Sequence, residues 1–184
     1  MNRSDFKDWA AGHVRLLDGA TGSNLRAAGM PVGVCGEVWI AEHPEALQQL
    51  QRSYVAAGSE VVTAPTFGAN RVLLANHGLE QDVGRLNRAL VAVSREAVGT
   101  AALLAGDITT TGQPVLPGDD AAYQKLLDVY REQAGAVLDA GVDLFIIETL
   151  MGLTEAMAAV EAVRGLCELP ILCTFSVQTD GKCY

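Results

Sequence analysis

The chain has 184 residues, which is long enough for one domain with a sizeable core. Its hydrophobic fraction of 49% supplies enough apolar surface to offset chain entropy and excludes intrinsic disorder. The net charge is −9 and no block of Lys and Arg occurs. Nucleic acid is therefore not an expected partner, because phosphate binding needs a basic face.

The cysteines and the N-terminus bear on the compartment. The four cysteines form no C-x-x-C pair, and the first dozen residues, MNRSDFKDWAAG, lack the apolar stretch of a signal peptide. No run approaches the roughly 18 apolar residues that a membrane span needs. The sequence predicts a cytoplasmic protein with reduced thiols and no membrane association.

Short apolar runs recur along the chain. They lie at residues 14–17, 60–64, 102–106, 144–147 and 171–175. Continuous apolar runs of this length are typical of strands in a parallel sheet that is buried on both faces. We therefore predict five parallel strands.

Amphipathic stretches separate these runs. They cover approximately residues 44–58, 79–98, 119–141 and 154–166. The first begins with Pro44 and ends at Gly58, the third starts at Asp119 or Asp120, and Thr154 is the expected cap of the fourth. Apolar residues in the third stretch are three and four positions apart, as one face of a helix requires.

Alternation of strands and helices predicts right-handed βαβ units, in either a doubly wound sheet or a barrel. The turn after the first run, DGATGSNL, has no G-x-G-x-x-G, which disfavours a dinucleotide-binding sheet. We predict an α/β fold, a partial (β/α)8 TIM-type barrel. It comprises about the first five βα units and is truncated after the fifth strand. Residues 1–184 would then be the N-terminal part of the barrel domain, or a portion of a longer polypeptide, with open edges that favour self-association.

Polar residues follow the predicted strands. They are Asp18, Thr63, Thr66, Asn70, Asp107, Glu148 and Ser176. Because the carboxyl ends of barrel strands open on one face, we expect these side chains to share one rim. Carboxylates there suit a ligand with an ammonium group, while Gly19 and Gly22 let backbone N–H groups approach a ligand carboxylate. The pattern predicts an α-amino acid site.

Some of these residues have a second interpretation. Asp107 is explained equally well as a ligand contact and as a structural residue, either a helix cap or an ion-pair partner. Thr63, Thr66 and Asn70 are either loop-shaping residues or ligand contacts.

Four segments resemble the homocysteine S-methyltransferase family, in the order and spacing of that family. They are LLDGATGSNL at 16–25, the segment 37–70 that ends in TFGAN, GVDLFIIETLMGLTEAMAAV at 141–160 and PILCTFSVQTDGK at 170–182. The third predicted strand departs from the family pattern. It is followed by AGDITTTGQP, where the family often has a Gly-Ser-like pair and a Gly-Pro.

The resemblance implies a homocysteine-binding barrel that transfers a methyl group to the homocysteine thiol and yields methionine. The substrate-binding residues that it implies are Asp18, Gly19 and Glu148, with Thr63 and Asn70 at the end of the second strand. The methyl donor is not identified by the sequence.

The resemblance also implies zinc. In the family, one cysteine after the sixth strand and an adjacent pair near the end of the domain bind the zinc, and this sequence contains neither segment. Cys35, Cys167, Cys173 and Cys183 lack ligand-like spacing, so we expect no metal ligand and no catalytic residue among the residues present.

Two other functions remain open at this point. One is a non-catalytic amino-acid-binding module. The other is an unrelated barrel enzyme, such as an aldolase or a phosphate-binding isomerase. The absence of Lys from the ends of the first four predicted strands disfavours the aldolase.

Overall fold

Four parallel strands joined by helices form a single sheet in the order β1-β2-β3-β4. The computed structural model describes residues 2–116 and 118–183. The strands are β1 (Val61–Thr63), β2 (Leu103–Thr109), β3 (Leu144–Leu150) and β4 (Ile171–Phe175). This α/β architecture with sequential parallel strands confirms the prediction of a partial (β/α) barrel.

The helices alternate with the strands as predicted, and α4, α6, α7 and α8 are the long ones. The bounds are α1 (Arg3–Ala11), α2 (Gly22–Ala27), α3 (Gly36–Glu42), α4 (Pro44–Ala56), α5 (Arg71–Leu74), α6 (Val83–Val98), α7 (Asp120–Asp139) and α8 (Leu153–Arg164). A short 3₁₀ turn, Ala75–His77, follows α5. None of the helices in the described part of the chain is long and apolar enough to cross a bilayer.

The first predicted strand, residues 14–17, is the main correction to the fold. Only Leu17 makes a bridge, parallel to Val61, and the N–H of Asp18 donates to the carbonyl of Val61 at 2.9 Å. Val14 is 83% exposed. The run has a neighbouring strand on one side only, and that neighbour, β1, has just three residues, so a longer ladder does not form. The segment still lies in the position of a first barrel strand.

A second correction concerns the start of α8. Thr154 is not its cap, because the helix begins at Leu153 and the extended residue before it is Gly152. The start of α7 agrees with the prediction, since the side chain of Asp119 accepts the N–H of Ala122 at 2.9 Å.

The sheet is buried on its outer face by α6, α7 and α8. Leu104 and Ile108 of β2 belong to the same core cluster as Tyr130 and Val137 of α7. Gly106 lets α7 approach β2 closely, because a Cβ at that position would lie 2.3 Å from Cγ1 of Val137.

The helix α1, which the sequence did not predict, covers the inner face of the sheet. Its N-terminus is a capping box in which Asn2 and Asp5 bond each other's backbone N–H. Phe6 and Trp9 pack on the inner cluster of Val61, Ala105, Leu144 and Ile146. The guanidinium of Arg15 lies 4.0 Å from the centre of the Trp9 ring and fixes the end of the helix.

Candidate functional site

A cavity of about 570 Å³ opens beside the carboxyl ends of β1, β2 and β3. Its charged lining residues are Asp18, Glu37, Asp107 and Glu148. Its apolar wall includes Leu25, Met30, Ile40, Phe67 and Ile146. Among the described residues that line it there is no Lys, Arg or His, so the cavity combines acidic and apolar side chains. Such a cavity suits a small ligand that carries both a cationic group and an apolar chain.

Asp18 is fixed at this cavity by Thr63, the last residue of β1. Its carboxylate accepts the backbone N–H of Thr63 at 3.0 Å, and the Thr63 hydroxyl lies 3.1 Å from the same oxygen. Burial raises the pKa of Asp18, the two bonds from Thr63 oppose that rise, and the charge of Glu148 adds to it. The carboxyl group is therefore oriented before any ligand arrives.

The loop from Gly19 to Gly22 is held by Tyr54 of α4. The Tyr54 hydroxyl donates to the carbonyl of Ala20 at 2.9 Å, and a Cβ on Gly19 would lie 2.9 Å from that hydroxyl. Glycine at position 19 therefore lets the loop lie against the tyrosine ring, and a larger residue would displace that ring. The N–H groups of Gly19, Ala20 and Thr21 donate to no other group in the described part of the chain, which leaves them free to bind an anion.

Asp107 and Glu148 point into the cavity from neighbouring strands. The register pairs Asp107 with Ile146 and Thr109 with Glu148, so the two acidic residues lie on the same face of the sheet. Burial, then the charge of Glu148 and a hydrogen-bond contact with it, raise the pKa of Asp107 well above its ordinary value. The backbone at Asp107 is anchored by Thr66, whose hydroxyl lies 3.0 Å from the Asp107 nitrogen and donates to the Asp107 carbonyl at 2.8 Å.

An irregularity in β3 follows Glu148 directly. Thr149 has φ 61°, and the pairing of β3 with β4 shifts register between Ile147 and Leu150. A β-branched residue in the left-handed region is strained, and such bulges change the direction of neighbouring side chains. The strain therefore lies next to one of the acidic residues of the cavity.

The structure brings together Asp18, Gly19, Thr63 and Glu148, four of the five substrate-binding residues expected from the sequence. Asn70 is not among the residues that line the cavity. It is fully buried at the start of α5, where its Oδ1 accepts the N–H of Leu73 at 2.9 Å. Asn70 therefore caps α5, a local structural role that is closer to the loop-shaping interpretation than to the ligand contact, the two that the sequence left open.

Glu37 of α3 lines the cavity and was not identified from the sequence. It lies against Gly68, where a Cβ would approach its Oε1 within 2.4 Å, and its Oε2 accepts the thiol of Cys35 at 3.3 Å. The residue is distant in sequence from every strand end, and its place at the cavity follows from the packing of α3. A local sequence signal for it does not exist.

A second acidic residue missed by sequence reasoning is Glu155, which is buried at 8% exposure in the first turn of α8. Its Oε1 accepts the N–H and hydroxyl of Thr111 at 2.7 and 2.8 Å and the hydroxyl of Tyr130 at 2.8 Å. Its Oε2 accepts the hydroxyl of Thr110 at 2.6 Å. Glu155 therefore ties the TTT segment after β2 to α8 and α7.

The cysteines do not form a metal site. Cys35 is half-buried beside the cavity, whereas Cys173 lies in β4 and is exposed, and all four thiols are free. Burial raises the pKa of both Cys35 and Cys173, which disfavours the thiolate that a metal needs. Within residues 2–116 and 118–183, no three His, Cys, Asp or Glu side chains are grouped as metal ligands. The residues present do not fit a zinc ion.

The parallel sheet, its covering helices and a cavity at the carboxyl ends of the strands define the class of this protein, an α/β protein with a partial TIM-type barrel. The family model of homocysteine S-methyltransferase matches residues 15–183, and the chain therefore belongs to that family. This confirms the resemblance found in the sequence.

Individual relatives agree with this assignment. Methionine synthase of Mycobacterium tuberculosis is 26% identical over 97% of this chain, and betaine–homocysteine S-methyltransferase 1 of Sus scrofa is 31% identical over 76%. The oxidized form of the homocysteine methyltransferase MmuM from Escherichia coli has a similar fold, with a TM-score of 0.79 at 21% identity over 97% of this chain. The chain spans 16%, 51% and 69% of the lengths of these three proteins, respectively.

Proposed function

We propose that this chain forms the homocysteine-binding part of a homocysteine S-methyltransferase, in which the thiol of homocysteine receives a methyl group and becomes methionine. Family membership supports the reaction. The observation that carries the substrate assignment is the meeting of Asp18 and Glu148 at one cavity, next to the unpartnered N–H groups of Gly19, Ala20 and Thr21.

The two ends of this arrangement match the two charges of an α-amino acid. The carboxylates of Asp18 and Glu148 would bind the ligand ammonium group, and the N–H groups of the loop from Gly19 to Thr21 would bind its carboxylate. The apolar wall around Ile40 and Phe67 would contact the two methylene groups of homocysteine. Thr63 supports Asp18 from behind and is a positioning residue in this proposal.

The family resemblance implies zinc, but we assign no zinc ligand to the described residues of this chain. A bound zinc ion converts a thiol to the thiolate that attacks a methyl donor. The described residues do not fit such an ion, so we assign to them the binding and orientation of homocysteine and no chemical step. In this respect the proposal is close to the non-catalytic binding module, and the two share the same binding experiment.

Location and self-association are parts of the same proposal. The free thiols support a reducing compartment, for which we propose the cytoplasm.

Both edges of the sheet expose apolar side chains, Leu16 and Leu17 on one side and Phe175 and Val177 on the other. We propose that two copies pair through these edges, and a molar mass that stays that of one chain at all concentrations in analytical ultracentrifugation would refute the pairing.

The test of the substrate assignment is calorimetry with L-homocysteine and with 4-mercaptobutyrate, which lacks the ammonium group. We expect homocysteine to bind more tightly, and Glu148→Gln to weaken its binding by about tenfold or more while affecting 4-mercaptobutyrate little. Glu168→Gln is the matched control, because Glu168 is exposed and bonds Arg3 away from the cavity. Equal affinity of the two compounds, or of the wild type and Glu148→Gln for homocysteine, would refute the proposal.

A further inference from the structure

Asp107 of the proposed site has a buried carboxyl oxygen that accepts no hydrogen bond from the described residues. Only 5% of its surface is exposed, and its Oδ1 has no hydrogen-bond partner among the residues that the structure describes. Its backbone N–H and C=O are already bonded by Thr66. A buried carboxyl oxygen without a donor is costly, so a side chain with a purely structural role would be apolar here, like its neighbour Ile108.

The surroundings of Asp107 are acidic on every side that faces the cavity. Glu148 comes from β3, Asp18 from the loop before α2, and Glu37 from α3. On the other face of β2 the core cluster contains Val91 of α6 with apolar residues of α7, and the acidic group there is Glu155 of α8, which accepts the hydroxyl of Tyr130 at 2.8 Å. Two adjacent carboxyl groups can hydrogen-bond each other only when one of them carries a proton.

Burial and the neighbouring charges of Glu148 and Asp18 favour the protonated form of Asp107. The geometry agrees, since Asp107 is almost fully buried and no Lys, Arg or His lines the cavity within the described part of the chain. A ligand ammonium group in the cavity would supply a donor to the Asp107 carboxyl group and the positive charge that allows this group to ionise.

We propose that Asp107 is a third ligand-binding carboxyl group of this cavity, and that an entering amino acid displaces the proton that Asp107 carries. The bond that breaks is the O–H bond of the carboxylic acid, and the proton leaves to solvent as the ligand N–H groups donate to the Asp107 carboxylate. No oxidation or reduction takes place. This inference rests on the proposed function of the cavity as an amino acid site.

Asp107 belongs to the segment AGDITTTGQP, which departs from the pattern of the family at the third predicted strand. The family resemblance leads one to expect a Gly-Ser-like pair where this chain has Gly106 and Asp107. The added carboxyl group makes binding depend on pH, because one proton must be released for each ligand bound.

The experiment is titration calorimetry with L-methionine, which has no thiol to ionise, in buffers of different ionisation enthalpy between about pH 5.5 and 7.5, where an α-ammonium group stays charged. We expect release of up to one proton per methionine bound, and a dissociation constant that falls as the pH rises, by up to about tenfold per pH unit while the pH is below the pKa of Asp107. Asp107→Asn should bind methionine with no proton release. Asp139→Asn removes the same charge at an exposed position at the end of α7, and this variant should release as many protons as the wild type.

The outcomes separate the two proposals. Methionine binding by the wild type without proton release and without pH dependence would overturn the role of Asp107 and leave the proposed function intact. If neither methionine nor homocysteine binds to the wild type, both proposals are refuted. Proton release that persists in a folded Asp107→Asn variant would also overturn the inference. If that variant does not fold, the pH dependence of the wild-type dissociation constant decides the question.

Discussion

The carboxylate of Asp18 lies at the end of β1 because Thr63 donates its backbone N–H to it at 3.0 Å, with the Thr63 hydroxyl 3.1 Å away. Asp18 follows the single bridge of Leu17, where little regular structure fixes the chain. The hydrogen bonds from Thr63 therefore provide the orientation that a longer strand would provide elsewhere.

Thr63→Val tests this relationship, because it removes the hydroxyl and keeps the branched shape. We expect the pKa of Asp18 to rise further, since the hydroxyl bond lowers it, and homocysteine affinity to fall about fivefold for the loss of about 1 kcal/mol of hydrogen bonding. NMR titration of the Asp18 carboxyl carbon and calorimetry measure the two effects. Thr100→Val, at an exposed turn, is the control, and an unchanged pKa of Asp18 in Thr63→Val would contradict the assigned role of the hydroxyl.

The Glu155 cluster predicts a large loss of stability on truncation. Glu155→Ala leaves the buried donors of Thr111 and Tyr130 without their acceptor and should lower the free energy of unfolding by about 3 kcal/mol. Tyr130→Phe should lower it by about 1 kcal/mol, and less than that in the Glu155→Ala background, because the two side chains share a bond. Urea denaturation measures all three variants. Glu161→Ala, at an exposed position of the same helix, should lower the free energy of unfolding by less than about 1 kcal/mol. A loss equal to that of Glu155→Ala would contradict the stabilising role of the Glu155 hydrogen bonds.

Substitution of the strained Thr149 should raise, not lower, the free energy of unfolding. Thr149→Gly should raise the free energy of unfolding by about 0.5–1 kcal/mol, because the relief of left-handed strain exceeds the added chain entropy. Thr149→Ala is the matched comparison, since it removes the same hydroxyl and methyl groups but keeps a Cβ. If thermal denaturation shows an equal gain for both variants, backbone conformation is not the cause.

Asp107 predicts how stability changes with pH. Its pKa is raised in the folded protein, so the folded state binds a proton more tightly than the unfolded chain. The resulting contribution to stability is fully present below the ordinary pKa of 3.8 and is lost as the pH rises through the raised value. Asp107→Asn should therefore flatten the decline of the free energy of unfolding that begins as the pH rises above the ordinary pKa of 3.8. Asp139→Asn should leave the decline as in the wild type, and identical pH profiles for the wild type and Asp107→Asn would contradict the shift.

The strands and the meeting of Asp18 with Glu148 could be predicted because apolar runs mark buried parallel strands and the ends of such strands share one rim. Asn70 could not be assigned in the same way, since an asparagine after a strand is equally suited to cap the next helix. Glu37 could not be found, because its place depends on how α3 packs and not on its own neighbours in sequence. The failure to predict α1 has a similar origin. Its few large apolar residues, Phe6 and Trp9, become a helix face only when the inner side of the sheet receives them.

The position of α1 also decides the route that a ligand takes. Phe6 and Trp9 cover the inner surface of the sheet at the amino ends of its strands, below the acidic cavity. In the proposed function, homocysteine and a methyl donor would therefore approach from the carboxyl ends of the strands, because α1 covers the amino ends.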